Sequence, residues 1–138
     1  MSDLAEIMKK DIKSTVPGEP LIMAARRMRD ERIGSLLVKK NDTYVGVLTE
    51  TDIVRKAAAE GKDLSTLSVE SVMTKPIVSI ESTKTIRDAN DMMGNYGIRH
   101  LAVSEAGKIV GIVSVRDILL YFKTYADPIY SEPKIAQD

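Results

Sequence analysis

Two short stretches of the chain place a hydroxyl three residues before an acid: Thr49 with Asp52, and Ser114 with Asp117. Each closes an apolar run (Gly46-Val47-Leu48 and Gly111-Ile112-Val113) and opens onto another (Ile53-Val54 and Ile118-Leu119). This is the spacing of a capping box, so the simplest reading of each is the start of a well-capped helix. The same spacing can also carry chemistry. Free N–H groups and the positive dipole of a helix start attract an anion. Beside them the hydroxyl can reach a phosphate, and the carboxylate can accept from a ribose diol. The two readings are compatible, and the surroundings must decide between them.

Other reactive groups are few. The chain has no cysteine, which excludes disulfides, thiolate nucleophiles and thiolate metal sites. His100 is the only histidine, so multi-histidine metal centres and most acid–base dyads are excluded as well. Neither a Gly-x-x-x-x-Gly-Lys-Ser/Thr loop nor a Gly-x-Gly-x-x-Gly turn occurs. Asp52 and Asp117 could chelate Mg²⁺ together with a nucleotide, but one carboxylate per site is thin for two-metal catalysis. An enzyme is therefore disfavoured. Twenty basic residues balance twenty acidic ones, so bulk charge advertises neither a nucleic-acid nor a membrane surface. Residues 1–6 lack the apolar core of a signal peptide, and no apolar run approaches the roughly 18 residues of a membrane span. A cytoplasmic protein is expected. At 138 residues, 43% of them hydrophobic, the chain can bury about two-thirds of its unfolded surface, enough for a compact core.

The two key stretches lie 65 positions apart, and the match runs without a gap from Met8–Val54 onto Met73–Leu119. Identities include Met8/Met73, Ile12/Ile77, Ala24/Ala89, Ile33/Ile98, Leu36/Leu101, Gly46/Gly111 and Asp52/Asp117, and most other pairs keep their character. The chain is an internal duplication, and two copies predict a closed pseudo-twofold pair. Within each copy a short strand is expected at 12–14 (77–79), then a helix carrying Leu21, Ala24 and Met28 (Ile86, Ala89 and Met93) at helical spacing. Strands follow at 35–39 and 44–48 (100–104 and 109–113), with turns at Asn41-Asp42 and Ala106-Gly107, and helices at 50–60 and 115–126. The fold class expected is thus α/β (α+β), two tandem β-α-β-β-α units. Residues 1–60 form the first unit, 61–71 the linker, 72–126 the second unit, and 127–138 an extended or disordered tail. Short helical lead-ins are expected at 4–8 and 69–73. Met8, Met28, Met73 and Met93 read as core. The last helix, with Leu119, Leu120, Phe122 and Tyr125, carries more apolar surface than one face needs, which points to a subunit contact.

Two units each ending Gly-apolar-apolar-Ser/Thr-x-x-Asp resemble the cystathionine β-synthase (CBS) domain pair, or Bateman module, over residues 4–123. The lead-ins Ile7-Met8-Lys9-Lys10-Asp11-Ile12 and Val72-Met73-Thr74-Lys75-Pro76-Ile77 also match, as does Gly97-Ile98-Arg99-His100-Leu101-Ala102-Val103. The resemblance implies two units packed through their sheets and a flat homodimer of pairs. It also implies two clefts for adenosine nucleotides, each joining the Ser/Thr-x-x-Asp of one unit to the first strand of the other. In one cleft the base would meet Ile12, Lys13, Ile33 and Gly34, Asp117 would hold the ribose, and Ser114 would face phosphate. Arg99, His100 and Arg116 are grouped with it. In the other cleft Thr49 and Asp52 would work with Ile77, Val78 and Ile98. Arginine grips phosphate bidentately, so the Ser114/Asp117 cleft is expected to bind it more tightly. Against this, Arg99 and Arg116 could simply be solvated, or paired with Glu105 and Asp88.

The function expected is non-catalytic: a regulatory module that binds AMP, ADP, ATP or a related adenosyl ligand, with or without Mg²⁺, and signals to a separate protein through its dimer geometry. The alternative is a ligand-free oligomerisation or interaction scaffold.

Overall fold

Proline has no N–H to leave unsatisfied in a first helical turn, and the chain turns helical directly after Pro20. Helix α1 (Leu21–Glu31) buries Leu21, Ala24 and Met28 along one stripe. After β1 (Ser14–Thr15) and α1 come β2 (Ser35–Lys40), β3 (Thr43–Thr49) and α2 (Glu50–Ile53), which runs on into a π-helical turn at Val54–Ala58. A short helix α3 (Val69–Val72) precedes the second half. There β4 (Ser79–Glu81), α4 (Ile86–Tyr96), β5 (His100–Glu105), β6 (Lys108–Ser114) and α5 (Val115–Tyr121) repeat the order, with a π-helical turn at Phe122–Ala126. The structure is a computed structural model that describes residues 3–126; the tail expected at 127–138 lies outside them.

Each half is a three-stranded sheet, β1-β2-β3 or β4-β5-β6, with the first pair parallel and the second antiparallel. The hairpin turns place Asn41 and Asp42 at φ 50° and 62°, and Ala106 and Gly107 at 50° and 78°. Two successive left-handed residues are what a two-residue hairpin of the right twist needs. The short strands begin later than the expected 12–14 and 77–79, although the ladder reaches one residue further back. Leu37 N donates to Lys13 O at 3.0 Å, and Ala102 N to Val78 O at 3.2 Å.

The central strands are covered on both faces. Leu36 and Val38 join the core under α1, and Leu101 and Val103 the core under α4. Leu37 (1% exposed) and Ala102 (3%) lie on the alternate face, between the two sheets.

The lead-ins cross over. Leu4 is buried in the second half's core with Ile80, Ile86 and Val113, while Val69 and Val72 are buried in the first half's core with Leu21, Leu36 and Leu48. Lys9 pairs with Ile112 through two backbone bonds of 2.8 and 3.0 Å, and Thr74 pairs with Val47 through two of 2.8 and 2.9 Å. Glycine makes this crossing possible. A Cβ on Gly46 would stand 2.9 Å from Met73 Sδ and 3.0 Å from Thr74 O; one on Gly111, 2.7 Å from Met8 Sδ and 3.0 Å from Lys9 O.

Candidate functional site

At the end of β3, Thr49 is extended while Glu50 begins α2, so the side chains of Thr49 and Asp52 fold back on each other. Thr49 Oγ1 accepts from Asp52 N at 3.1 Å, and Asp52 Oδ2 accepts from Thr49 N at 3.0 Å. Ser114 and Asp117 repeat the box at α5, with bonds of 3.2 and 2.9 Å. A third box, Thr85 with Asp88, starts α4. The capping reading therefore holds for both stretches, and burial sets them apart from the third box: Asp52 is 5% exposed and Asp117 9%, whereas Asp88 is exposed.

The two buried carboxylates differ in their partners. Asp52 Oδ1 accepts from Thr74 Oγ1 at 2.8 Å and faces Lys56 Nζ at 2.9 Å. Asp117 Oδ2 accepts a second bond from Ser114 Oγ at 3.0 Å, and its Oδ1 faces Lys9 Nζ at 3.6 Å.

Beside Asp52, a cavity of about 290 Å³ opens between the two sheets. That is near the lower end of the range for small-molecule sites. Thr49, Glu50, Asp52 and Arg55 line it from the first half; Thr74, Pro76, Ile77, Val78, Ile98, Arg99 and His100 line it from the second. Its inner wall is Leu37 and Val47 of one sheet with Ala102 and Ile112 of the other. Apolar Ile77, Val78 and Ile98 could hold a flat ring. Arg55 and Arg99 make no ion pair among the described residues and add two cationic guanidinium groups.

Gly34 also lines the cavity, and its missing Cβ matters: the position it would take is 2.6 Å from Glu50 Oε1 and 3.1 Å from His100 Nε2. Acid and imidazole thus close over bare backbone. Burial pushes the His100 pKa below its ordinary 6.5, while the Glu50 and Asp117 carboxylates pull it up and Arg99 pushes it further down. His100 therefore feels both clefts.

All five residues grouped with the Thr49 cleft, namely Thr49, Asp52, Ile77, Val78 and Ile98, line this one cavity. Gly34, Arg99 and His100, grouped from sequence with Ser114 and Asp117, line it too. The shift has a plain cause: β5 begins at His100 directly against the opposite half's Gly34 and Glu50. The other residues of that group stand apart from the cavity. Ile12 is half-buried, and Lys13 is exposed and paired with Asp11 (3.0 Å) and Glu31 (3.6 Å). Ile33 packs on the first core and faces an outer groove beside Arg29 and Arg32. Arg116 is exposed and makes no ion pair among the described residues. Sequence reasoning missed Arg55, Lys56 and Thr74. The first two stand three and four residues after Asp52, on the same helix face, and that spacing was the available signal. Among the described residues no group of His, Asp and Glu is placed to hold a metal ion. Among the described residues no helix is long and apolar enough to cross a membrane.

Comparison with known proteins agrees with this architecture. The family profile of the CBS domain matches twice, over residues 4–59 and 69–124. The uncharacterized protein MK0525 of Methanopyrus kandleri is 32% identical over 118 residues, which cover 84% of this chain and 60% of that relative; the chain spans only three-fifths of its length. A protein with CBS domains from Burkholderia ambifaria superposes with a TM-score of 0.86 at 25% identity, over 94% of this chain and 98% of that one. The CBS domain pair of MJ0100, solved in complex with 5-methylthioadenosine and S-adenosyl-L-methionine, has the same fold, with a TM-score of 0.78 at 24% identity over 88% of this chain and 99% of that one. Two crossed strand–helix–strand–strand–helix halves, each matched by the same domain profile, establish that this chain belongs to the CBS domain family as a tandem pair, a regulatory module.

Proposed function

We propose that this chain is a non-catalytic sensor that takes an adenosine nucleotide (AMP, ADP, ATP or a related adenosyl ligand) in the cleft between its halves. The observation that carries the reading is the cavity beside Thr49 and Asp52, where an apolar slot, a buried carboxylate, a hydroxyl and the guanidinium groups of Arg55 and Arg99 converge. Adenine would lie against Ile77, Val78 and Ile98. Asp52 would accept from the ribose, a charge-assisted contact of about 1.5–3 kcal/mol. Thr49 Oγ1 accepts from Asp52 N and still has its own hydrogen to give to a phosphate, with Arg55 and Arg99 beside it. Any Mg²⁺ would travel with the phosphates. The MJ0100 pair supports the reading only to the extent that the same fold can hold adenosyl ligands.

A second site at Ser114 and Asp117, with Ile12, Lys13 and Ile33, follows from the pseudosymmetry. Arg99 and His100 line the Thr49 side, so charge now favours that cleft for phosphate, the reverse of the preference read from sequence. The output would pass to a partner protein through the geometry of a homodimer. The exposed apolar groups Val54 (57%), Leu119 (63%) and Phe122 (43%) offer surface for the dimer contact. Ligand would shift the dimer only by its differential affinity for the two arrangements.

A ligand-free scaffold is the second reading, favoured by one observation: protein donors already partner both buried carboxylates. Calorimetric titration of AMP, ADP, ATP and S-adenosylmethionine separates the two. The nucleotide reading expects Asp52→Ala to weaken AMP about tenfold or more, and Asp117→Ala to weaken it less. Absence of binding by the wild type at millimolar ligand would leave the scaffold.

A further inference from the structure

Each half sets one ammonium group against its buried carboxylate, but draws it from a different element. Lys56 Nζ, on the turn after α2, lies 2.9 Å from Asp52 Oδ1 and donates to Thr74 Oγ1 and to the Val72 carbonyl at 3.1 Å each. That is the full donor complement of a lysine. In the other half Tyr121 stands where Lys56 would be and Lys9 stands where Thr74 would be. It is Lys9 Nζ that reaches toward Asp117 Oδ1, at 3.6 Å. The charge at the carboxylate is the same in both halves, and its source has moved from helix to lead-in.

Exposed ion pairs contribute little to stability, but this one is not simply a surface pair. The Asp52 side chain is 6% exposed, and the lysine ties it to the backbone that crosses from the other half. We propose that Lys56 is a positioning residue of the Asp52 cleft, holding the carboxylate for a ligand's ribose hydroxyls and fastening the 72–74 segment to the same group. The role rests on the adenosyl reading given above. Lys56 and Thr74 fill Oδ1, whereas Oδ2 takes one bond, from Thr49 N. One lone pair of Oδ2 is thereby left for a ligand hydroxyl. The lysine and the ligand hold opposite oxygens of one rigid group, so the ligand grip and the seating of the crossover become a single event.

Titrating adenosine and AMP separately tests this in full-length wild type, Lys56→Met, and the double variant Lys56→Tyr with Thr74→Lys. Adenosine carries no phosphate, so it reports the ribose grip alone. Lys56→Met is expected to weaken both ligands alike, by about tenfold. The double variant transplants the other half's arrangement and is expected to regain most of the lost affinity. Hydrogen exchange at Thr74 N–H, which is bonded to Val47 O, should slow on adenosine binding in the wild type and not in Lys56→Met. A loss confined to AMP would make Lys56 a phosphate contact and overturn the positioning role. Unchanged adenosine affinity would overturn it too, even with a lowered melting temperature, since Lys56 would then be only a structural tie. A wild type that binds neither ligand overturns the adenosyl reading and this role together, whereas a wild type that binds, beside an unaltered variant, overturns this role alone.

Discussion

Asp52, Asp88 and Asp117 close the same capping box and differ in what surrounds them. Asp88 is exposed, and its bonds from Thr85 hold its pKa below the usual carboxylate value, as expected of a helix cap in water. Asp52 and Asp117 are buried where the halves meet, Asp52 with a lysine one helical turn on and Asp117 with one from the chain's first lead-in. His100 sits between the two clefts, and its depressed pKa has a consequence for stability. As pH falls, the unfolded chain takes up the imidazole proton before the folded chain does. The stability tied to the neutral ring is therefore present above about pH 6.5 and drains away below it. His100→Gln stays neutral throughout, so its urea midpoint should fall less between about pH 7 and about pH 5 than that of the wild type. Equal falls would show that the ring is not buried in its neutral form.

The paired elements share lengths and partners, and they differ at their ends. Helix α4 stops on Gly97 at φ 65°, the usual left-handed cap, while α1 stops on Arg32 at φ 56°. A side chain in that conformation costs roughly 1 kcal/mol. Arg32→Gly removes the cost and loosens the unfolded chain, so a net gain of a few tenths to about 1 kcal/mol is expected. Chemical denaturation reads it directly. A loss instead would mean that the arginine contributes through its side chain, which lies along the groove beside Arg29 and Ile33. The π-helical turns that follow α2 and α5 are also element-scale features. One of them carries Lys56, in keeping with the way such turns gather at functional positions.

At the scale of the whole molecule, the crossed lead-ins hold the halves together. Gly111→Ala would push a methyl against Met8 Sδ and the Lys9 carbonyl. The sulfur can move, but the carbonyl is fixed by its bond to Ile112, so a loss of about 1–3 kcal/mol is expected. Gly94→Ala in α4 meets open space and should be neutral or stabilising by up to about 1 kcal/mol. Equal effects of the two substitutions in thermal unfolding would mean that the crossing yields easily. The duplication, the strand and helix order, the hairpin turns and the capping boxes were all legible in the sequence. Each rests on local periods or short spacings: Leu21, Ala24 and Met28 declare a helix face wherever the helix goes. The crossing was not legible, because Leu4 and Val69 are apolar residues in similar lead-ins, and nothing local says which core either will enter. The placement of Arg99, His100 and Arg55 was hidden for the same reason. Which wall a charge occupies depends on how one sheet lies on the other, with Leu37 and Ala102 buried between them. The sequence by itself thus determined the repeated unit and the chemistry available to it. Only the tertiary structure decided which core each lead-in enters and that Gly34, Arg99 and His100 line the Thr49 side, because a duplicated chain has two nearly equivalent ways to pair, and long-range burial chooses between them.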